Sequence, residues 1–124
     1  FDGETAPYVQ YTHARACSVL RKHGQPLPRQ VEYGCLDKEE EFQLCKLLGF
    51  FPETIRRAAE FYEPSFISTY LIQLAEQFNV YYHHNRILVD DPLLRAARVT
   101  LTAAVRQVLR NGLALLGIAA PEEM

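Results

Sequence analysis

Apolar side chains recur along this chain at intervals of three and four residues, and no stretch alternates with a period of two for long enough to need a strand. The spacing predicts five helical segments. The first runs from about Pro7 to His23, with Thr5 as its cap, Pro7 accommodated in the first turn and Gly24 as the stop. A loop holding Pro26 and Pro28 follows. The second begins at Asp37, which makes a capping-box pattern with Glu40, and Phe42, Leu44, Cys45, Leu47 and Leu48 supply its buried side before Gly49. The third opens at Pro52 and sets Ile55, Ala58, Ala59 and Tyr62 on one face. After Pro64, a fourth segment carries Ile67, Tyr70, Leu71, Leu74, Phe78 and Tyr81 or Tyr82 at the same spacing, the clearest amphipathic signal in the chain. A polar loop from His83 to Asp91 leads to the cap and first-turn pair Asp91-Pro92. The fifth segment, about Pro92 to Gly117, would be roughly 39 Å long. Its buried face carries Leu94, Ala97, Leu101, Ala104, Val105, Val108, Leu115 and Leu116, with Arg95, Arg106 and Arg110 opposite, Arg98 at the boundary and Gly112 the point where it would bend. Pro121 prevents further helix in the tail.

With 124 residues, 48% of them apolar, there is material for one domain with one core, and the expected architecture is an all-α, single five-helix bundle. A net charge of -2 is no signature of a nucleic-acid partner, because phosphate binding normally leaves a basic footprint. The distribution changes that picture. Residues 1–30 and 81–124 hold nine Lys and Arg against six Asp and Glu, whereas residues 31–80 hold four against nine, so the two ends can form a mildly basic face. The three cysteines, Cys17, Cys35 and Cys45, are odd in number and lack CxxC spacing, which fits reduced thiols and a cytoplasmic location better than a disulfide framework or a zinc site. No window approaches a membrane span, and no basic stretch leads into an apolar signal segment. A start at Phe1 rather than Met, close to the first element, reads as a piece of a longer chain.

Residues 7–22 are the most unusual local feature. Tyr11, Arg15, Ser18 and Lys22 form one helical stripe, with Gln10 and Arg21 flanking it. A ring beside guanidinium groups is what a splayed-out RNA base needs, a flat surface for stacking and fixed positive charge for its phosphate. Tyr11 packed on a neighbouring helix with solvated arginines fits the same spacing, and spacing alone favours that plainer reading. Other clusters carry less. His83-His84 suggests a metal, but adjacent helical residues point about 100° apart and no carboxylate or thiol stands at ligand spacing. The run Glu39, Glu40, Glu41 is read as a solvated helix start complementing the dipole rather than as catalytic carboxylates. Cys17 and His13, four residues apart, lack an orienting third group, and Cys17 reads as a small buried hydrophobe. There is no glycine-rich phosphate loop and no evident place for ATP.

The string Tyr8-Val-Gln-Tyr-Thr-His-Ala-Arg15 closely resembles the helix that leaves the catalytic domain in arginyl-tRNA synthetases, usually written G-P-Y-x-Q-Y-x-H-A-R, with Ala6 where the pattern commonly has Gly. Residues 97–124 are similar to the last helix and tail of the same family, which typically ends P-E-R-M, with Glu123 in place of the penultimate Arg. Between them, Glu63-Pro64-Ser65, Tyr70-Leu71 and Phe78-Asn79 look like the family's central helix. The superfamily's Asp-Ala-Leu-Arg is represented by Arg95-Ala96-Ala97-Arg98, of which only the Ala and the closing Arg agree.

The resemblance implies a bundle of the class I synthetase anticodon-binding type. It also implies a non-catalytic module binding the anticodon stem-loop of arginine tRNA, the catalytic domain lying upstream in the same chain. The parent reaction, attachment of arginine to tRNA with ATP and Mg2+, would take place there, with no cofactor or metal in this part and no membrane partner. Carried over residue by residue, the anticodon pocket maps onto Tyr11, Arg15, Arg21, Tyr82 and Met124, with Gln10 flanking and His83 and Arg86 at its border. A helical protein-interaction domain remains a reading of another class. The related domain of a cysteinyl or glycyl enzyme is a third, against which the Tyr8 to Arg15 string argues.

Overall fold

The computed structural model describes residues 5–124. Among them every regular element is helical: α1 (Thr5–His23), α2 (Glu39–Gly49), α3 (Phe51–Glu60), α4 (Ser65–His84) and α5 (Pro92–Leu115), with one 3-10 turn at Tyr33–Cys35. Local chemistry sets several boundaries. Gly24 ends α1 with φ +69°, a left-handed conformation that glycine adopts without steric cost. Asp91 Oδ1 accepts the Leu93 backbone N–H at 3.1 Å and Pro92 follows in the first turn, so α5 starts on a cap whose missing proline donor leaves nothing unsatisfied.

Helices α1, α4 and α5 form the body of the molecule. Val9, Ala16 and Val19 of α1, Leu71, Leu74 and Phe78 of α4, and Val105, Leu109 and Leu113 of α5 are buried in one shared core. The first and last helices run antiparallel: Arg95 in the first turn of α5 donates to His23 Nδ1 at 3.1 Å, while Gln10 near the start of α1 reaches the tail beyond α5. Helix α5 continues through Gly112 to Leu115. A Cβ at Gly112 would lie 2.5 Å from a Leu71 methyl, so the residue is small because α4 crosses closely. Helix α2 runs along α4, from Leu47 beside Tyr70 to Glu41 beside Tyr81, and α3 packs on the start of α4; Leu44, Leu47, Phe51 and Ala58 are buried there, Phe51 stacks on Tyr70 at 5.5 Å, and the Tyr70 hydroxyl donates to the Leu47 carbonyl at 2.7 Å.

A buried ion pair ties these layers together. Glu41 is fully buried and accepts from Arg98 Nε at 2.9 Å, from the Tyr81 hydroxyl at 2.6 Å and from the Lys38 backbone N–H at 3.1 Å. Arg98 also donates to the Arg86 carbonyl at 2.8 Å, which pins the loop between α4 and α5. Burial, reinforced by the carboxylate, pushes the Tyr81 hydroxyl far above its ordinary range, so it stays a donor.

This network corrects the sequence expectation twice. Glu41 is not a solvated member of its run, and Arg98 lies inside rather than at the boundary. Smaller corrections follow the same logic of geometry over pattern. The capping residue of α2 is Lys38, paired with Glu41, one step beyond the expected Asp37 and Glu40. Thr5 already lies within α1, and α4 runs on through His83 and His84. Phe42, Cys45, Ala59 and Leu115 are exposed instead of buried, and Tyr62, 92% exposed with φ +52°, terminates α3 rather than packing.

Candidate nucleic-acid interface

Helix α1 faces α4 through a polar ladder. Asn79, buried on α4, donates from Nδ2 to Tyr8 Oη at 3.0 Å and to Thr12 Oγ1 at 2.9 Å, and its Oδ1 accepts from Arg15 Nη1 at 2.8 Å. That last bond aims the Arg15 guanidinium. Its central carbon sits 4.4 Å from the Tyr82 ring centroid and 5.2 Å from that of Tyr11, cation–π geometry to both rings, and Nη2 lies 3.4 Å from the Tyr11 hydroxyl. Arg15 is therefore oriented by a neutral amide and two rings, and it makes no ion pair among the described residues.

The tail closes the site from the other side. After α5, residues 118–124 turn back along α1, where three side chains hold the backbone. Gln10 Nε2 donates to the Ala119 carbonyl at 2.9 Å, His13 Nδ1 to the Pro121 carbonyl at 2.8 Å, and Arg21 Nη1 to the Glu122 carbonyl at 3.0 Å. His13 is almost fully buried, and burial draws its pKa below 6.5, keeping the ring neutral with its proton on Nδ1. Burial pushes the Cys17 thiol up, and its sulfur lies 3.8 Å from both ring nitrogens of His13, over the ring rather than in line with either nitrogen. That is packing, not an activated nucleophile.

Between tail and helices lies a cleft of about 460 Å3 lined by Tyr11, Ala14, Arg15, Ser18, Val19, Arg21, Lys22, Tyr82, Glu123 and Met124. The five residues mapped from the first helix, the fourth and the tail thus meet in one place, together with Ser18 and Lys22 of the same stripe. The others lie outside it. Gln10 acts on the tail, His83 packs against the Tyr82 ring at 5.7 Å in edge geometry, and Arg86 contributes its carbonyl to Arg98. Neighbouring His84 pairs with Glu40 at 2.9 Å, and no three His, Cys, Asp or Glu side chains gather as a metal site among the described residues. Sequence reasoning overlooked Asn79. Its signal was a lone amide on the apolar face of α4, three residues before Tyr82, where a buried amide must find partners for all its polar atoms.

A wholly helical domain whose first and fourth helices and tail build an aromatic and arginine-lined cleft has a counterpart among known families. The family description "DALR anticodon binding domain" matches residues 9–124, and the chain belongs to that family. It is similar along its full length to curated arginine–tRNA ligases, 50% identical to that of Halothermothrix orenii and 51% to that of Enterococcus faecalis, while spanning 22% of the length of each. Among solved structures, Thermus thermophilus arginyl-tRNA synthetase aligns over the whole chain and 22% of its own, with TM-score 0.83 and 37% identity. A putative arginyl-tRNA synthetase from Campylobacter jejuni shares the fold alone, with TM-score 0.88 at 22% identity over 97% of this chain and 26% of its own.

Proposed function

We propose that this domain binds the anticodon stem-loop of arginine tRNA, as the C-terminal recognition module of an arginine–tRNA ligase whose catalytic domain lies upstream in the same chain. The observation that carries this is the pair of rings, Tyr11 and Tyr82, both within cation–π distance of the Arg15 guanidinium, in a cleft that Arg21, Lys22 and Met124 also line. Tyr11 is 47% exposed and offers ring surface to an unpaired base. Arg15, Arg21 and Lys22 supply charge for its phosphates, and the Met124 thioether fills space beneath a ring. Gln10 serves the site by holding the tail, and His83 by bracing Tyr82, while Arg86 borders the cleft only at a distance.

Recognition here is separate from reaction. In the parent, attachment of arginine uses ATP and Mg2+, which this reading assigns to the upstream catalytic domain. No carboxylate cluster of the kind Mg2+ takes gathers among the described residues, and no glycine-rich phosphate loop occurs in the sequence. No helix among the described residues is long and apolar enough to cross a membrane, and the free cysteines suit the cytoplasm, where this reading places the protein.

Titration of Tyr11→Ala and Tyr82→Ala against an anticodon stem-loop tests the proposal. Each is expected to weaken binding by about 1–3 kcal/mol, and unchanged affinity in both removes the stacking claim. Exposed Phe50, Phe61 and Tyr62 favour a second reading, a docking face for a protein partner. Salt separates the two, because counterion release makes RNA binding fall steeply with added salt whereas a mainly apolar interface responds little.

A further inference from the structure

Beside the aromatic cleft lies a second, smaller hollow, of about 310 Å3, lined by Cys17, Leu20, Arg21, Gln25, Leu27, Arg106 and Glu122. Arg21 belongs to both, and consecutive tail residues line them, Glu122 here and Glu123 with Met124 there, so the two adjoin across one side chain and one turn of backbone.

Arg106 is the unusual group. Its Nε is buried, and it is the one buried side-chain nitrogen or oxygen among the described residues with no hydrogen-bond partner. A buried donor left unsatisfied is unfavourable, and no hydrogen bond within the described residues takes up the charge of this guanidinium. No ion pair engages Arg106, Arg21 or Arg110 among the described residues. Arg21 commits one nitrogen to the Glu122 carbonyl and keeps the rest of its fork. The local field agrees: Arg106, Arg21 and Arg110 all act on the Cys17 thiol from nearby, opposed by the single carboxylate of Glu122.

We infer that this hollow is a second seat for RNA, in which Arg106 and Arg21 together take a backbone phosphodiester of the same loop whose base enters the aromatic cleft. The inference rests on the RNA reading above and extends it to Arg106, which that reading does not use. Arg21 links the two seats, since a group shared by both hollows can hold a phosphate only where the strand passes from one to the other. Planar guanidiniums are suited to bidentate capture of phosphate oxygens, and one whose Nε is packed in place presents its terminal nitrogens with less freedom to lose than a freely solvated arginine.

The test is a salt series of stem-loop binding by the intact protein, with Arg106→Gln and Arg106→Lys beside the wild type. Arg106→Gln is expected to bind roughly tenfold more weakly and to lower the slope of log affinity against log salt by about 1, while Arg106→Lys keeps the slope. Stem-loops carrying one neutral methylphosphonate linkage at successive loop positions then locate the contact. At one linkage the wild type should lose the same tenfold and Arg106→Gln nothing further. Wild-type affinity and slope in Arg106→Gln overturn the inference, and so does a loss that couples to no linkage, which would make Arg106 a structural residue or the seat of a free anion. Should Arg106→Gln fail to fold, Glu122→Gln carries the test: removing that carboxylate should tighten binding severalfold to native RNA but not to RNA neutral at the contact, and no tightening overturns the idea. A wild type that binds no stem-loop defeats the RNA reading itself, whereas an unaffected Arg106→Gln on a binding wild type defeats the second seat alone.

Discussion

Two arginines, Arg98 in the interior and Arg15 in the cleft, meet opposite fates on helices that share one core. Arg98 is buried against the carboxylate of Glu41, with the Tyr81 hydroxyl and Lys38 backbone N–H completing that acid's acceptor sites. Arg15 is partly buried, but its fixed partner is the neutral Asn79 amide, and two rings take up its faces. The first arrangement cancels charge and serves the fold. The second holds a charge in place without cancelling it, which is the condition for offering it to a ligand. The difference lies in the partner each guanidinium is given, not in its depth alone.

The sharpest way to break the comparison is Glu41→Ala, which leaves Arg98 buried and unpaired. A loss of about 3–5 kcal/mol in chemical denaturation is expected, and a loss below 1 kcal/mol would show that the interior pair is solvated. Next comes Asn79→Asp, which gives Arg15 the carboxylate that Arg98 already has. Stem-loop binding by the folded variant should fall roughly tenfold and the salt slope by about 1, and intact binding would mean that the Arg15 charge is not used. Glu123→Arg should move affinity the other way, roughly twofold to fivefold at low salt, because an exposed carboxylate lining a phosphate-binding cleft repels its ligand. Unchanged or weakened binding would separate the tail from the site.

The smallest effect is a pH dependence through His13. Its folded pKa is drawn below 6.5 by burial, so the unfolded chain takes up this proton first as pH falls. The contribution is whole above about 6.5 and is lost as pH drops through the folded value. Thermal melts at roughly pH 7.5 and 5.5 should therefore show a decline that His13→Gln reduces, and an identical decline in both would assign it to other groups.

Much of the cleft was legible because its chemistry sits in contiguous strings. The stripe of α1 was visible in its spacing, which by itself fitted plain packing as well, and Tyr82 and Met124 entered only through the family resemblance. The interior pair was not legible. Three consecutive glutamates fan out around a helix, and Glu41 shares the face of Leu44 and Leu47, but only the fold sets Arg98 and Tyr81 opposite it. Phe42 and Cys45 lie off that face and are exposed. Asn79 and Arg106 escaped notice because a polar residue on a helix declares its role only through the neighbour opposite.

The clasp of Gln10, His13 and Arg21 on residues 119–122 carries one more consequence. The wall it secures joins α5 through a short exposed stretch at Gly117, which has φ +72°. A single protease cut there would leave the backbone of every helix unbroken, yet free one side of the cleft and uncover the part of the core on which Ile118 and Ala120 pack.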